Sequence, residues 1–324
     1  MSGLSRRLLL AVLSCLLLAC GPAAAPAPTA APASPAASKP LGSGSGELTV
    51  FAAASLTDAF RELGEQFQAA NPNSRVTFNF GASTQLRTQL EQGAQADVFA
   101  SADQAQMDRA RQAGRVAGPD TTFVTNRLVV IAPVANPGGV QGPGDLAKPN
   151  LKVVTAQPEV PIGVYTQDML DRMSRAPQFG ADFKDRVNAN IVSREANVRH
   201  VVAKVQLGEA DAAVVYQSDV TPQVAPHLAT FDVPDQFNTI ATYPIALVVG
   251  GPQAESGGRA FIDLVLSPAG QGVLAKWNFV PVGPTTLAPG GVLALPPALT
   301  PALSQRERGL WPLLPLGEGG GEGA

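Results

Sequence analysis

The sequence predicts an α/β fold in which mostly parallel sheets are flanked by helices. Three observations carry that expectation. Short apolar runs alternate with amphipathic helical stretches through about residues 47–283. The chain has 324 residues, long enough for two lobes, each with its own core. No internal repeat is evident, and alternation of this kind implies sheets covered by helices on both faces.

The elements follow in order. The strand LTVFA (48–52) runs into a helix whose Leu56, Ala59, Phe60, Leu63 and Phe67 recur at helical spacing. NPNS (71–74) breaks that helix, and RVTFNF (75–80) is the next strand. A second helix runs from Ser83 to Gly93, followed by the strand DVFAS (97–101) and a helix from Asp103 to Ala113. Strands are expected at 127–133 and 152–155, then helices at 162–175, 178–186 and 197–207. Strands at 188–193 and 212–216 interleave with these helices. A long strand at 239–250 and one helical segment over 254–276 complete the globular part.

Both ends of the chain read differently. Residues 1–20 place Arg6 and Arg7 before an apolar run too short to span a bilayer comfortably, the pattern of a secretory signal. The run ends LLAC-G, which resembles a bacterial lipobox and makes Cys20 the expected lipid anchor, with a plain signal peptide as the alternative. Residues 21–46 are rich in Pro, Ala, Gly and Ser and are expected to form a tether. Residues 284–324, dense in Pro and Gly, are expected to be a disordered low-complexity tail. The protein is therefore expected to be exported, in the periplasm or at the outer face of the cytoplasmic membrane.

Composition excludes several functions. The net charge of −3 offers no basic surface for nucleic acid. Two histidines (His200, His227) and two cysteines (Cys15, Cys20) cannot build a Cys/His zinc site in the folded part, and no metal site is expected.

Four strand-to-helix junctions share one chemistry. In AAAS-LTD, Ser55 is a candidate helix cap and Asp58, three residues on, completes a capping-box-like pair. Capping leaves Ala52, Ala53 and Ala54 unexplained; small side chains there let a ligand reach main-chain N–H groups. FGAS-TQL repeats the motif with Ser83. PEVPIGVY opens a helix at Ile162, and EANVRHVV opens one at Val198 with Asn197 as candidate N-cap. Ile162 and Val198 have no polar side-chain chemistry and offer only their main chain. Each helix N-terminus presents unsatisfied N–H donors and about half a positive charge, which suits an anion. Hydroxyls from Ser55, Ser83 and Tyr216, the last at the end of AAVVY, add donors.

The segments LTVFAAASLTDAF, FGAST, ADVFASAD, NRLVVIAP, VPIGVY, NVRHVVAKV and AAVVYQSD occur in the order seen in periplasmic molybdate-binding proteins, the binding components of molybdate ABC importers. The chain resembles that family over about residues 48–282. The resemblance implies a two-lobed periplasmic-binding-protein fold with the ligand in the interlobe cleft. Lobe 1 is expected at 47–127 plus 244–283, and lobe 2 at 128–243. It implies molybdate or tungstate as ligand, a membrane permease as partner, a monomer, no cofactor and no enzymatic activity. By position, the family's hydroxyl ligands fall on Ser55, Ser83 and Tyr216, and its main-chain donors on Ile162 and Val198. Ala82 stands where the family often has a further serine.

Rival readings make specific demands. A serine hydrolase needs Ser55 or Ser83 beside His200, yet neither serine lies in a G-x-S-x-G elbow. A sulfate or phosphate binder would use the same kind of site. A ferric-ion binder gathers tyrosines, and nothing in the sequence clusters Tyr165, Tyr216 and Tyr243. A sensor or adhesion lipoprotein is a further alternative.

Overall fold

The computed structural model describes residues 46–282. The expected leader, lipid anchor, tether and tail lie outside the described residues. Strands β1 (Gly46–Ala53), β2 (Ser74–Gly81) and β3 (Val98–Ala100) alternate with helices α1 (Thr57–Ala70), α2 (Ser83–Glu91) and α3 (Gln104–Gln112). Strand β4 (Val116–Asn126) is followed almost at once by β5 (Leu128–Pro133). Then come β6 (Val153–Ala156), α4 (Pro161–Ser174), α5 (Phe183–Ala189), β7 (Ile191–Glu195), α6 (Val198–Gln206) and β8 (Ala212–Tyr216). The last elements are β9 (Leu228–Asp232), β10 (Ala241–Val248), α7 (Arg259–Leu266), α8 (Pro268–Lys276) and β11 (Val280–Pro281).

These strands form two sheets, one per lobe. The first has the order β11-β4-β10-β3-β1-β2, and the second β7-β6-β8-β5-β9. The chain passes from the first sheet to the second between β4 and β5, where only Arg127 intervenes. It returns between β9 and β10.

Local sequence explains the elements nearest the cleft. Helix α1 forms because Ala59, Phe60, Leu63 and Phe67 fall on one buried face. Asn71 ends it, its amide donating to the Phe67 carbonyl at 2.9 Å. Phe60, Phe67, Phe78 and Phe123 surround Phe261 or one another with ring centroids 5.7–6.4 Å apart, a tilted and edge-on aromatic core for the first lobe. Aliphatic residues such as Val130, Val154, Val201, Val215 and Met169 fill the second.

Four expectations need correcting. The sheets are mixed, not mostly parallel: β1 pairs in parallel with β2 and β3, and β6 with β7 and β8, while the remaining pairs are antiparallel. The cause is the lobe crossing, since the connecting strands β4, β5 and β10 come back against their neighbours. Strands β4 and β9 were not anticipated. Gly118, Pro119 and Asp120 inside β4 read as a turn, but register shifts in its pairing with β10 absorb them. Strand β9 is a half-buried edge with weak patterning. The helical segment 254–276 breaks at Ser267, whose hydroxyl accepts from the Gly270 N–H at 3.1 Å to cap α8. Helix α5 and strand β7 each begin later than expected, at Phe183 and Ile191.

One buried carboxylate ties the first sheet together. Asp97, 1% exposed, accepts from the Thr49 N–H at 2.8 Å and the Gln253 N–H at 2.6 Å. Asp97→Ala strands both donors. Urea unfolding should show a loss of about 1.5–3 kcal/mol, the range for a hydrogen bond to a charged group.

Candidate functional site

All five residues singled out in the sequence line one small cavity between the lobes, together with Ala53, Ala54, Gly81, Ala82, Ala102, Val160, Pro161 and Asn197. Ser55 follows β1 and Ser83 opens α2, both on the first lobe. Ile162 lies in the first turn of α4, Val198 begins α6, and Tyr216 ends β8, all on the second. The cavity offers about 20 Å³ to the centre of a water-sized sphere. That is a little more than the ~10–15 Å³ one water needs, so with the lobes placed as they are it suits a small polyatomic group.

The lining is uncharged. It holds three hydroxyls, one Asn, the N-terminal turns of helices, and no Asp, Glu, Lys, Arg or His. Tyr216, 1% exposed, has a hydroxyl with no hydrogen-bond partner among the described residues. Such a buried orphan is costly unless a ligand satisfies it. Ser83 Oγ accepts from the Ala102 N–H at 2.9 Å, which leaves its own hydrogen to be donated elsewhere. Asn197 caps α6 as expected: its side chain accepts from the His200 N–H at 3.2 Å. The N–H of Val198 and that of Ile162, among the first of their helices, have no intrahelical acceptor by position. Ile162 buries its side chain in the core, so what it offers is main chain.

Tight packing fixes the VPIG turn. A Cβ on Gly163 would lie 2.2 Å from the Gln157 carbonyl oxygen, so only glycine lets α4 start this close to the end of β6.

The expected cap at Ser55 is not formed. Ser55 lies within a short 3-10 turn (Ala54–Leu56), and no side-chain cap precedes that turn or α1. Its Oγ instead pairs with Tyr243 Oη at 2.9 Å. Asp58 does not complete a capping box: its Oδ2 accepts from Arg199 Nη2 at 2.7 Å. Of the three alanines, Ala53 and Ala54 line the cavity, while Ala52 is buried within β1. Ser83 is the first residue of α2, with Ala82 in the N-cap position.

The lobes touch around the cavity. Arg199, on α6, donates through Nε to the Ala54 carbonyl at 3.2 Å besides its bond to Asp58. Thr84 Oγ1 donates to the Glu159 carbonyl at 2.7 Å, and Tyr165 Oη to the Ala102 carbonyl at 3.4 Å. Arg199 Nε also lies 3.4 Å from Asp219 Oδ1, outside hydrogen-bond geometry. Asp219 is fully buried and accepts from the Tyr216 N–H at 3.2 Å. Burial pushes its carboxyl up from 3.8 to about 6, against the pull of Arg199 and the Tyr216 N–H.

Two rivals lose ground here. His200 is exposed on α6 and does not line the cavity, so neither serine has a base. The three tyrosines do cluster, contrary to expectation, with ring centroids 6.3 Å (Tyr165–Tyr216) and 5.9 Å (Tyr216–Tyr243) apart. Of the three only Tyr216 lines the cavity, with no carboxylate or histidine beside it, and burial raises all three phenols above their ordinary value. Among the described residues no cluster of His, Cys, Asp or Glu suits a metal ion. No described helix is long and apolar enough to cross a membrane.

Sequence reasoning missed Ala102, Arg199 and Tyr243. ADVFASAD signalled the first only as a strand end, Arg199 gave no local sign, and Tyr243 is 188 residues from Ser55.

Two sheets, two chain crossings and an interlobe cavity of donors define a two-lobed binding protein. The chain belongs to the bacterial extracellular solute-binding protein family, whose model matches residues 48–280. It is 40% identical over 281 residues to the molybdate-binding protein ModA of Mycobacterium bovis, covering 86% of this chain and 97% of that one. The substrate-binding domain of a putative molybdenum ABC transporter from Clostridium difficile superposes with a TM-score of 0.55 at 28% identity, covering 74% of this chain and all of that one. The sulfate-binding protein SubI of Mycobacterium tuberculosis gives 0.66 at 19% identity, covering 74% and 88%, a likeness of fold alone.

The raised Asp219 carboxyl has a signed consequence. Between about 4 and about 6 the native state holds a proton that the unfolded state releases, so this group's contribution to stability falls as pH rises through that window. Asp219→Asn keeps an acceptor for Tyr216 N–H and removes the titration. The stability of the native sequence relative to this variant, from urea unfolding at several pH values, should decline from pH 4 to pH 6 and then level.

Proposed function

We propose that the protein binds molybdate, and with it tungstate, outside the cytoplasm and delivers it to the permease of an ABC importer. The observation that carries this reading is the lining: Ser55, Ser83, Tyr216 and the first residues of α4 and α6 border one small cavity, and no carboxylate or cationic side chain borders it. Such a site suits a small oxyanion that arrives fully deprotonated. The 40% identity to a protein named for molybdate binding points to the same ligand.

In this reading Ser55, Ser83 and Tyr216 donate through their hydroxyls, and Ile162 and Val198 through their N–H groups. The anion then touches donors from both lobes. It favours the closed arrangement because a parted cleft offers only one lobe's donors. Closure is what the permease recognises. Sulfate has the same charge and shape but shorter bonds, so it leaves some donors unpaired, at about 1–3 kcal/mol each. Phosphate brings a proton that finds no acceptor. The protein acts as a monomer, exported and held at the outer face of the membrane through lipid on Cys20.

Calorimetry of the purified protein against molybdate, tungstate, sulfate and phosphate tests the reading. Molybdate and tungstate should bind below micromolar and phosphate far more weakly; a preference for sulfate, or tight phosphate binding at neutral pH, contradicts it. Ser83→Ala should weaken molybdate binding by about 1–3 kcal/mol, the worth of one hydrogen bond to a charged acceptor. Unchanged affinity removes Ser83 from the site.

A further inference from the structure

A buried hydrogen-bonded chain leads away from Ser55. It passes through Tyr243 on β10 to Asn126, where β4 ends and the chain crosses between lobes, and reaches Ser218 beside Tyr216. All four side chains are at most 2% exposed. The direction of each bond follows from its far end. Asn126 Oδ1 accepts from the Arg127 N–H at 3.0 Å, which fixes which way the amide faces. Its Nδ2 therefore donates, to Ser218 Oγ at 2.8 Å and to Tyr243 Oη at 3.4 Å. Tyr243 Oη is thereby an acceptor from Asn126. Either hydroxyl could donate across the 2.9 Å contact with Ser55 Oγ, but with Ser55 as donor the buried Tyr243 hydrogen would have no acceptor among the described residues, so the satisfied arrangement has Tyr243 donating.

We infer that Tyr243 and Asn126 are specificity-determining residues: by donating towards Ser55 they turn its hydroxyl hydrogen into the cavity and make protonated oxyanions poor ligands. The inference rests on the oxyanion reading of the cavity. Ser55, receiving a hydrogen from Tyr243, has its own left to give, and Ser55 lines the cavity. A ligand presenting a proton at this point would either meet the serine hydrogen or take the second Ser55 lone pair and leave that hydrogen buried without an acceptor. Ser83 is held the same way by the Ala102 N–H, a main-chain donor that cannot reverse. Ser55 depends on side chains, so its polarity can be altered by substitution. Tyr243 cannot swing out of the chain, because its ring is packed edge-on against Phe123, Tyr216 and Phe279 at 6.4, 5.9 and 5.5 Å. Burial also raises its phenol well above the ordinary value, which keeps the hydrogen in place. Tyr243 and Asn126 are positioning residues, acting through Ser55.

The test is the ratio of molybdate to phosphate affinity, with phosphate competing against bound molybdate in calorimetry. Tyr243→Phe and Asn126→Ala each release the Ser55 rotor, so that it can offer a lone pair to a ligand proton. Each should lower the ratio by about tenfold, the worth of one hydrogen bond. On a Ser55→Ala background, neither change should move the ratio further. A purely structural role for either residue lowers both affinities together and leaves the ratio where it was, which overturns the inference. The two variants break the chain at different points, and a ratio unmoved in whichever one folds has the same force. Failure of the unsubstituted protein to bind molybdate overturns the oxyanion reading itself, and the proton order with it.

Discussion

Buried hydrogen-bond donors without acceptors constrain this molecule more than any other feature. Helices α2, α4 and α6 and the short turn before α1 all begin at the same cavity, and the first N–H groups of a helix have no partner within it. Tyr216 adds a hydroxyl with no partner among the described residues. A site of this kind is under-satisfied by construction. On the proposed reading, one compact acceptor with several oxygens satisfies it and touches both lobes.

The remaining architecture serves this arrangement. Parallel pairs β1–β2, β1–β3, β6–β7 and β6–β8 bring strand ends to one side of each sheet, which aims the following helices at the cleft. The antiparallel strands β4, β5 and β10 carry the chain between lobes, and two of the residues that govern Ser55 sit on them. Small residues at 53, 54, 81, 82 and 102 keep the main chain accessible. Arg199 lies behind the cavity, joining the Ala54 carbonyl and Asp58 of one lobe to the helix that begins at Val198. Its charge is taken up by Asp58 and, more weakly, by buried Asp219, so none of it enters the lining.

Much of this was legible in the sequence because it is local. Ser55, Ser83, Ile162, Val198 and Tyr216 each sit at a strand or helix end that periodicity marks, and the structure brings all five to one cavity. Asn197 announced itself as a cap by residue type and position, and it is one. What local pattern cannot show is which side chain a hydroxyl chooses. Ser55 and Asp58 have the spacing of a capping pair, yet tertiary partners win: Tyr243 takes the serine and Arg199 the aspartate. Strand β4 hid for a related reason, since Gly118-Pro119-Asp120 signals a turn unless a neighbouring strand accommodates a bulge. The clustering of three tyrosines spread over residues 165–243 is likewise a product of topology.

The central claim is that one anion joins donors from both lobes. A crystal structure of the protein with molybdate tests it most directly. The account predicts the anion's oxygens within hydrogen-bond distance of the hydroxyls of Ser55, Ser83 and Tyr216 and of the N–H groups of Ile162 and Val198. An anion bound outside this cavity, or held by the residues of one lobe alone, would contradict it.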